Sequence, residues 1–154
     1  MSCIIDVMTW VSAEDLMPYL IDWFIPDQVI YACYSGEFTE DELRMSLRTL
    51  IDMVDSSSSP YVHIIADTGD VTKPVPPQKV LKISREVGSH ERTGWNLILR
   101  ERSTLVKMGV AFGSTLIKSK IRSFDTLEDA EQFLRKIDET LSWDNVNRAV
   151  VARS

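Results

Sequence analysis

Cysteine is scarce in this chain. Cys3 and Cys33 are the only two, and no paired spacing joins them to each other or to a histidine. Neither a disulfide framework nor a cysteine metal site is expected. Long apolar runs are missing as well: no stretch reaches the ~18–20 residues that a membrane-spanning helix needs. The opening MSCIIDVMTW carries Asp6 and no positive charge, so it does not read as a secretory signal, and a cytoplasmic location is expected. The sequence has no P-loop and no GxGxxG. Neither His63 nor His90 has a serine or cysteine in a nucleophile-elbow context. No metal and no cofactor is expected from these patterns, and the net charge of −6 argues against general nucleic-acid binding.

What is present suits one soluble α/β domain. The 154 residues match the usual size of a single domain. A hydrophobic content of 44% with 26% charged residues is ordinary for a globular fold with one core. Charge is unevenly spread. Residues 1–78 hold 13 acids and 3 bases, residues 79–122 hold 3 acids and 10 bases, and residues 123–154 hold 7 acids and 4 bases. The basic middle either marks an anionic partner surface or supplies helix faces that answer acidic neighbours.

Residues 61–77, YVHIIADTGDVTKPVPP, organise the rest. Tyr61 to Ala66 is a nearly continuous apolar run, the pattern of a strand covered on both faces in a parallel sheet. Residues 67–77 read as a polar loop, and Pro76 and Pro77 suit the first turn of a helix because proline lacks only an N–H that is unpaired there. That helix carries Val80, Leu81, Ile83 and Val87 and stops at Gly88.

Upstream, residues 19–24 and 28–34 are rich in β-branched and aromatic side chains, with Pro26-Asp27 between them, which predicts a hairpin closed by Gly36. Thr39 with Glu42 forms a capping box for a helix with Leu43, Leu47, Leu50, Ile51 and Val54 on one stripe. Asp55 to Pro60 ends it, and the four serines there read as a solvated loop or as a phosphorylation tract. Downstream, residues 95–99 form a strand. A helix begins at Ser103 or Thr104, with Leu105, Met108, Phe112 and Leu116 on one face. Residues 120–124 alternate as a short edge strand. Asp125 or Thr126 caps the last helix, whose buried face is Leu127, Ala130, Phe133, Leu134, Ile137 and Leu141.

The predicted order is β-β-α-β-α-β-α-β-α: about five strands, mostly parallel with the first antiparallel, and about four helices. Residues 1–17 form an N-terminal arm or added element, 18–142 the domain, and 143–154 a tail that is mobile unless Trp143 anchors it. The expected βα loops, 35–37, 67–77, 100–104 and 124–126, gather at the strand-carboxyl edge, where open α/β sheets place their sites.

In this order, in IIADTGDV (64–71) and in the closing FDTLEDAEQFL (124–134), the chain resembles a STAS domain, the fold of bacterial anti-sigma-factor antagonists. The segment IDWFIPDQVIYACYSGEFTEDEL (21–43) is also similar to STAS-like bacterial proteins without an assigned role. The resemblance covers residues 20–141 and implies a non-enzymatic, regulatory protein-interaction module with a protein partner, such as a kinase or other signalling protein. In the antagonists, a serine in an Asp-Ser-Ser-Gly-like signature is phosphorylated at a helix start. Here that signature falls on Val75-Pro76-Pro77-Gln78, and proline stands at the serine position. The phospho-switch does not carry over, and Thr68 and Thr72 are the nearest hydroxyls.

The expected partner surface is Asp67, Thr68, Asp70, Thr72, Lys73, Lys79 and Lys82. The alternative reading is a small-molecule or anionic-ligand protein using the same edge, with Lys73, Arg100 and Arg102 as the anion site. An enzyme would rest on the Asp67/Asp70 carboxylates, although Asp-Thr-Gly-Asp is also ordinary turn composition. Pairing of the acidic first half with the basic middle between copies, with Trp10 across the interface, would make a homodimer.

Overall fold

The structure is a computed structural model. It describes residues 19–103, 106–108 and 120–152. The expectations for residues 1–17, and for most of the helix beginning at Ser103 or Thr104, lie outside the described residues; within that helix, residues 106–108 are helical.

Five strands form one sheet in the order β1-β2-β3-β4-β5. They are β1 (Tyr19–Ile25), β2 (Val29–Glu37), β3 (Val62–Lys73), β4 (Thr93–Leu99) and β5 (Lys120–Phe124). The first pair is antiparallel and the other three are parallel. The helices are α1 (Glu40–Ser56), α2 (Pro77–Val87), α3 (Leu127–Ile137) and the short α4 (Ala149–Ala152), with a 3-10 turn at Trp143–Asn145.

Local chemistry sets most boundaries. Asp27, at φ 65, closes the β1–β2 turn in the left-handed region that aspartate tolerates. The capping box is complete: Thr39 N donates to Glu42 Oε2 at 2.9 Å, and Glu42 N donates to Thr39 Oγ1 at 3.3 Å. α2 opens on Pro77 at its first position and stops at Gly88, whose φ of 80 other residues rarely adopt. Thr126 caps α3 by accepting from Asp129 N at 3.2 Å.

β3 lies at the centre of the sheet, and its alternating side chains enter two cores. Val62 and Ile64 pack with Ile30, Leu50 and Val54 under α1, while α2 lies alongside α1. Ile65 faces the other way and joins Tyr31, Leu97, Leu99, Ala130 and Leu134 under α3. Full burial of one such side chain is worth about 1.5–3 kcal/mol, so a strand supplying both cores cannot slip register cheaply.

Two boundaries and one buried position differ from the sequence reading. Residues 67–73 are strand rather than loop: β3 continues to Lys73 because β2 continues beside it to Glu37. Gly36 therefore does not close β2, and its φ of 68 sits at an irregularity in the pairing. Ile137, expected on the buried face of α3, is 40% exposed. The segment after α3 packs onto the core: Trp143 meets Phe24 edge-on at 6.4 Å, Arg135 lies 4.0 Å over the Trp143 ring, and Val150 is fully buried. Trp143 anchors that segment as an aromatic clamped between ring and cation.

Candidate functional site

The carboxyl edge of the sheet is built by a mismatch in strand length. Pairing of β3 with β4 ends at Asp67↔Leu99. Pairing of β3 with β2 runs on through Ser35↔Asp70 and Gly36↔Val71 to Glu37↔Lys73, with two register shifts that each insert a residue into β3. β1 is described from Tyr19, which pairs with Tyr34. Among the described residues, positions 35–37 and 70–73 thus form a two-stranded ribbon that no third strand flanks. Its Asp70, Thr72, Lys73, Ser35 and Glu37 are exposed.

Arg100 locks the base of this ribbon. It follows β4 directly and sits at φ 54, a conformation costly for a residue with a Cβ. There its side chain turns back over β3. Nε donates to Asp67 Oδ1 at 2.9 Å and to Oδ2 at 3.2 Å, and Nη2 donates to Asp70 Oδ2 at 3.2 Å. Gly69 makes room: a Cβ there would meet the guanidinium at 2.5 Å. Asp67 is nearly buried and also accepts from Gly69 N at 3.0 Å. Hydrogen bonding to Asp67, with a smaller contribution from Asp70, holds the Arg100 pKa above its ordinary value. The two carboxylates are therefore bridged by one guanidinium. Among the described residues no cluster of three or more metal-ligating side chains occurs.

Of the other expected site residues, Lys73, Lys79 and Thr68 also have partners. Lys73 Nζ lies 3.2 Å from Glu37. Lys79 at the start of α2 bonds Glu40 at the start of α1, and this bond holds the Glu40 carboxyl below its ordinary pKa. Arg44 bonds Glu86 and Asp41. Lys82 and Arg102 are exposed, and Thr68 donates to Leu99 O at 3.2 Å. Asp67, Asp70 and Arg100 are thus brought together. Lys73 and Lys79 stand apart from that cluster, each with its own acidic partner. Much of the acidic-then-basic division of the chain is answered internally, between α1 and α2 and between β3 and Arg100. Among the described residues the edge is a mosaic of opposite charges.

Pro76 is the N-cap of α2, and no side chain caps that helix.

Two arrangements were not foreseen from the sequence. Arg92 crowns the C-terminus of α1, its Nη1 donating to Ser57 O at 2.7 Å and Ser59 O at 2.9 Å, and its Nη2 to Val54 O and Asp55 O at 2.9 Å. This cation at the carbonyl end of the helix fixes the serine loop, in which Ser57 is buried and donates to Asp27 O at 2.6 Å. His63 is the second. It is buried, it accepts from Trp95 N on Nδ1 at 3.0 Å, and its Nε2 lies 2.8 Å from Asp138 Oδ2. Nδ1 is the acceptor, so the ring proton sits on Nε2 and points at the carboxylate. Both nitrogens are occupied, which makes His63 a structural residue. Burial pushes the Asp138 carboxyl up, but bonds from Thr140 and His63 outweigh that and leave it below the usual range. No local signal marks either contact, because the partners lie more than thirty positions away in sequence.

No family model matches this sequence, and no curated protein matches it. Among solved structures, the chain is similar to the anti-sigma factor antagonist SpoIIAA in its unphosphorylated form, with a TM-score of 0.53 and 16% identity, over 78% of this chain and 98% of that one. At that identity the likeness speaks for architecture. The same mixed five-stranded sheet and helices, spanning nearly all of the antagonist, make this a STAS-like α/β fold.

Proposed function

We propose that the chain is a non-enzymatic, regulatory protein-interaction module of STAS type that engages a protein partner through its carboxyl edge. One observation carries this reading: the β2–β3 ribbon runs past the end of β4, with no third strand beside it among the described residues. Unflanked strand edges present backbone donors and acceptors that a partner segment completes. The alternating charges of Asp70, Lys73, Glu37, Lys79 and Glu40 then favour a partner with a matching pattern over a simple polyanion. Asp67 positions the ribbon through Arg100. Thr68, Thr72 and Lys82 complete the surface, and Thr72 offers its exposed hydroxyl.

The antagonist likeness supports a signalling partner, a kinase among the classes expected. Proline at the helix start supports control by a route other than serine phosphorylation at that position. The test is affinity capture from native lysate with the full chain, beside Asp70→Arg and Lys79→Glu. A stoichiometric protein held by the parent and lost from both variants, with melting temperature unchanged, supports the reading. Equal retention by all three removes it.

A further inference from the structure

The opposite end of the sheet is different. At its amino edge a cleft of about 890 Å³ opens, and the start of β4, Thr93 to Trp95, forms one of its walls. That wall is held by the only two histidines in the chain, and both make the same pair of bonds. His63 Nδ1 accepts from Trp95 N at 3.0 Å, and its Nε2 lies 2.8 Å from Asp138 Oδ2. His90 Nδ1 accepts from Arg92 N at 3.1 Å, and its Nε2 lies 3.1 Å from Asp55 Oδ1. The pairing of β3 with β4 explains why a side chain is needed here. Val62 stands opposite Thr93 and Ile64 opposite Asn96, so Gly94 and Trp95 together face His63. A bulge of this kind leaves main-chain groups without a ladder partner, and the ring supplies the acceptor for one of them. Gly94 leaves room for it: a Cβ there would lie 2.5 Å from Nδ1.

An imidazole that accepts on Nδ1 is neutral and carries its proton on Nε2. A second proton goes to Nδ1 and turns that acceptor into a donor facing a main-chain N–H. The bond to the strand is then lost, while Nε2–H still points at the aspartate. Charge favours that outcome, because each protonated ring keeps a carboxylate as its neighbour. The charged and titratable groups around the two rings are Asp138 after α3, Asp55 in α1, Glu91 and Arg92 on the turn before β4, Lys120 at the start of β5 and Tyr61 before β3. Among the described residues, only Asp138 and Asp55 of these pair with the ring nitrogens through their side chains. The Arg92 guanidinium is directed to the carbonyls that end α1, and Lys120 Nζ lies over the Trp95 ring. Asp138 is itself fixed by Thr140 N at 3.0 Å, so the His63 ring stays with it.

We infer that His63 and His90 form a proton-operated latch on the start of β4. Neutral rings pin residues 92–95, and protonated rings release them and loosen that wall of the cleft. The latch is separate from the partner surface proposed above and does not rest on it. The experiment is a titration of the full chain from about pH 8 to about pH 5, the range in which imidazole changes charge. NMR follows the Cε1–H shifts of both rings and the protection of the Arg92 and Trp95 amides against solvent exchange. As each ring titrates, the protection factor of its partner amide should fall about fivefold or more, while amides in the middle of β3 stay protected. His63→Asn sets an amide oxygen near the Nδ1 position and should hold Trp95 protection level across the range, with Arg92 still following His90. Asp138→Asn, the second variant, keeps the Nδ1 bond but removes the carboxylate that favours the charged ring, and should move the Trp95 step about one unit lower in pH. Rings that stay neutral throughout the range overturn the inference. So do amides whose protection ignores ring titration, or a Trp95 step unchanged in both variants.

Discussion

Gly69 and Gly94 lie toward opposite ends of the sheet, and each sits beneath a nitrogen-bearing side chain. A Cβ on Gly69 would meet the Arg100 guanidinium at 2.5 Å, and a Cβ on Gly94 would meet His63 Nδ1 at the same distance. The surroundings differ. The Arg100 guanidinium is 29% exposed and can swing away, although the Arg100 Cβ at 2.8 Å cannot, whereas the His63 ring is 5% exposed and held at both nitrogens. The carboxyl edge is therefore adjustable and charged, and the amino edge is fixed and largely apolar. A surface that must accommodate a partner fits the first description, and a preformed cleft fits the second.

The largest effect that would test this contrast is Gly94→Val. The new side chain displaces a buried ring and breaks its bond to Trp95 N, so a loss of about 3 kcal/mol or more is expected in urea unfolding. Gly69→Ala should cost about 1–3 kcal/mol, because the guanidinium can move but the Arg100 Cβ beside the new methyl cannot. Equal losses at Gly69 and Gly94 would erase the distinction between the two edges. Next comes Arg92→Ala, which uncovers the carbonyls ending α1 and should cost about 2 kcal/mol by chemical denaturation, with faster amide exchange confined to residues 54–59.

Acidification sharpens the comparison further. The Asp138 carboxyl is depressed in the folded state, so its contribution is present above the unfolded value near ~3.9 and is lost as pH falls through the folded value. Urea midpoints measured from pH 5 to pH 2.5 should fall less steeply in Asp138→Asn than in the parent; identical slopes would refute the assignment. The smallest effect is expected for Asp70→Ala. That carboxylate is 56% exposed, so its bond to Arg100 should contribute at most about 0.5 kcal/mol, while Asp67→Ala, at the nearly buried partner, costs about 1–2 kcal/mol. A double-mutant cycle with Arg100 separates the two.

Much of the fold was legible because its signals are local. The capping box at Thr39, the proline start and glycine stop of α2, and the apolar run of β3 each need only neighbours a few residues away. The candidate site was legible in part. Asp67 and Asp70 stood out as a carboxylate pair, but Arg100 was read as free to hold an anion. Its positive φ, the room above Gly69 and the reach back to β3 depend on where β4 ends relative to β3, which no single segment records.

By themselves, the residues determined the type and order of the elements from β1 to α3 and most of their apolar faces, since capping, turn chemistry and periodicity act within a helical turn or a strand pair. Tertiary structure decided that β3 outruns β4, that Arg100 clamps two aspartates, that His63 finds Asp138 across 75 positions, and that Trp143 seats the C-terminal segment. Those outcomes follow from register and packing, and a register exists only once two distant strands have met.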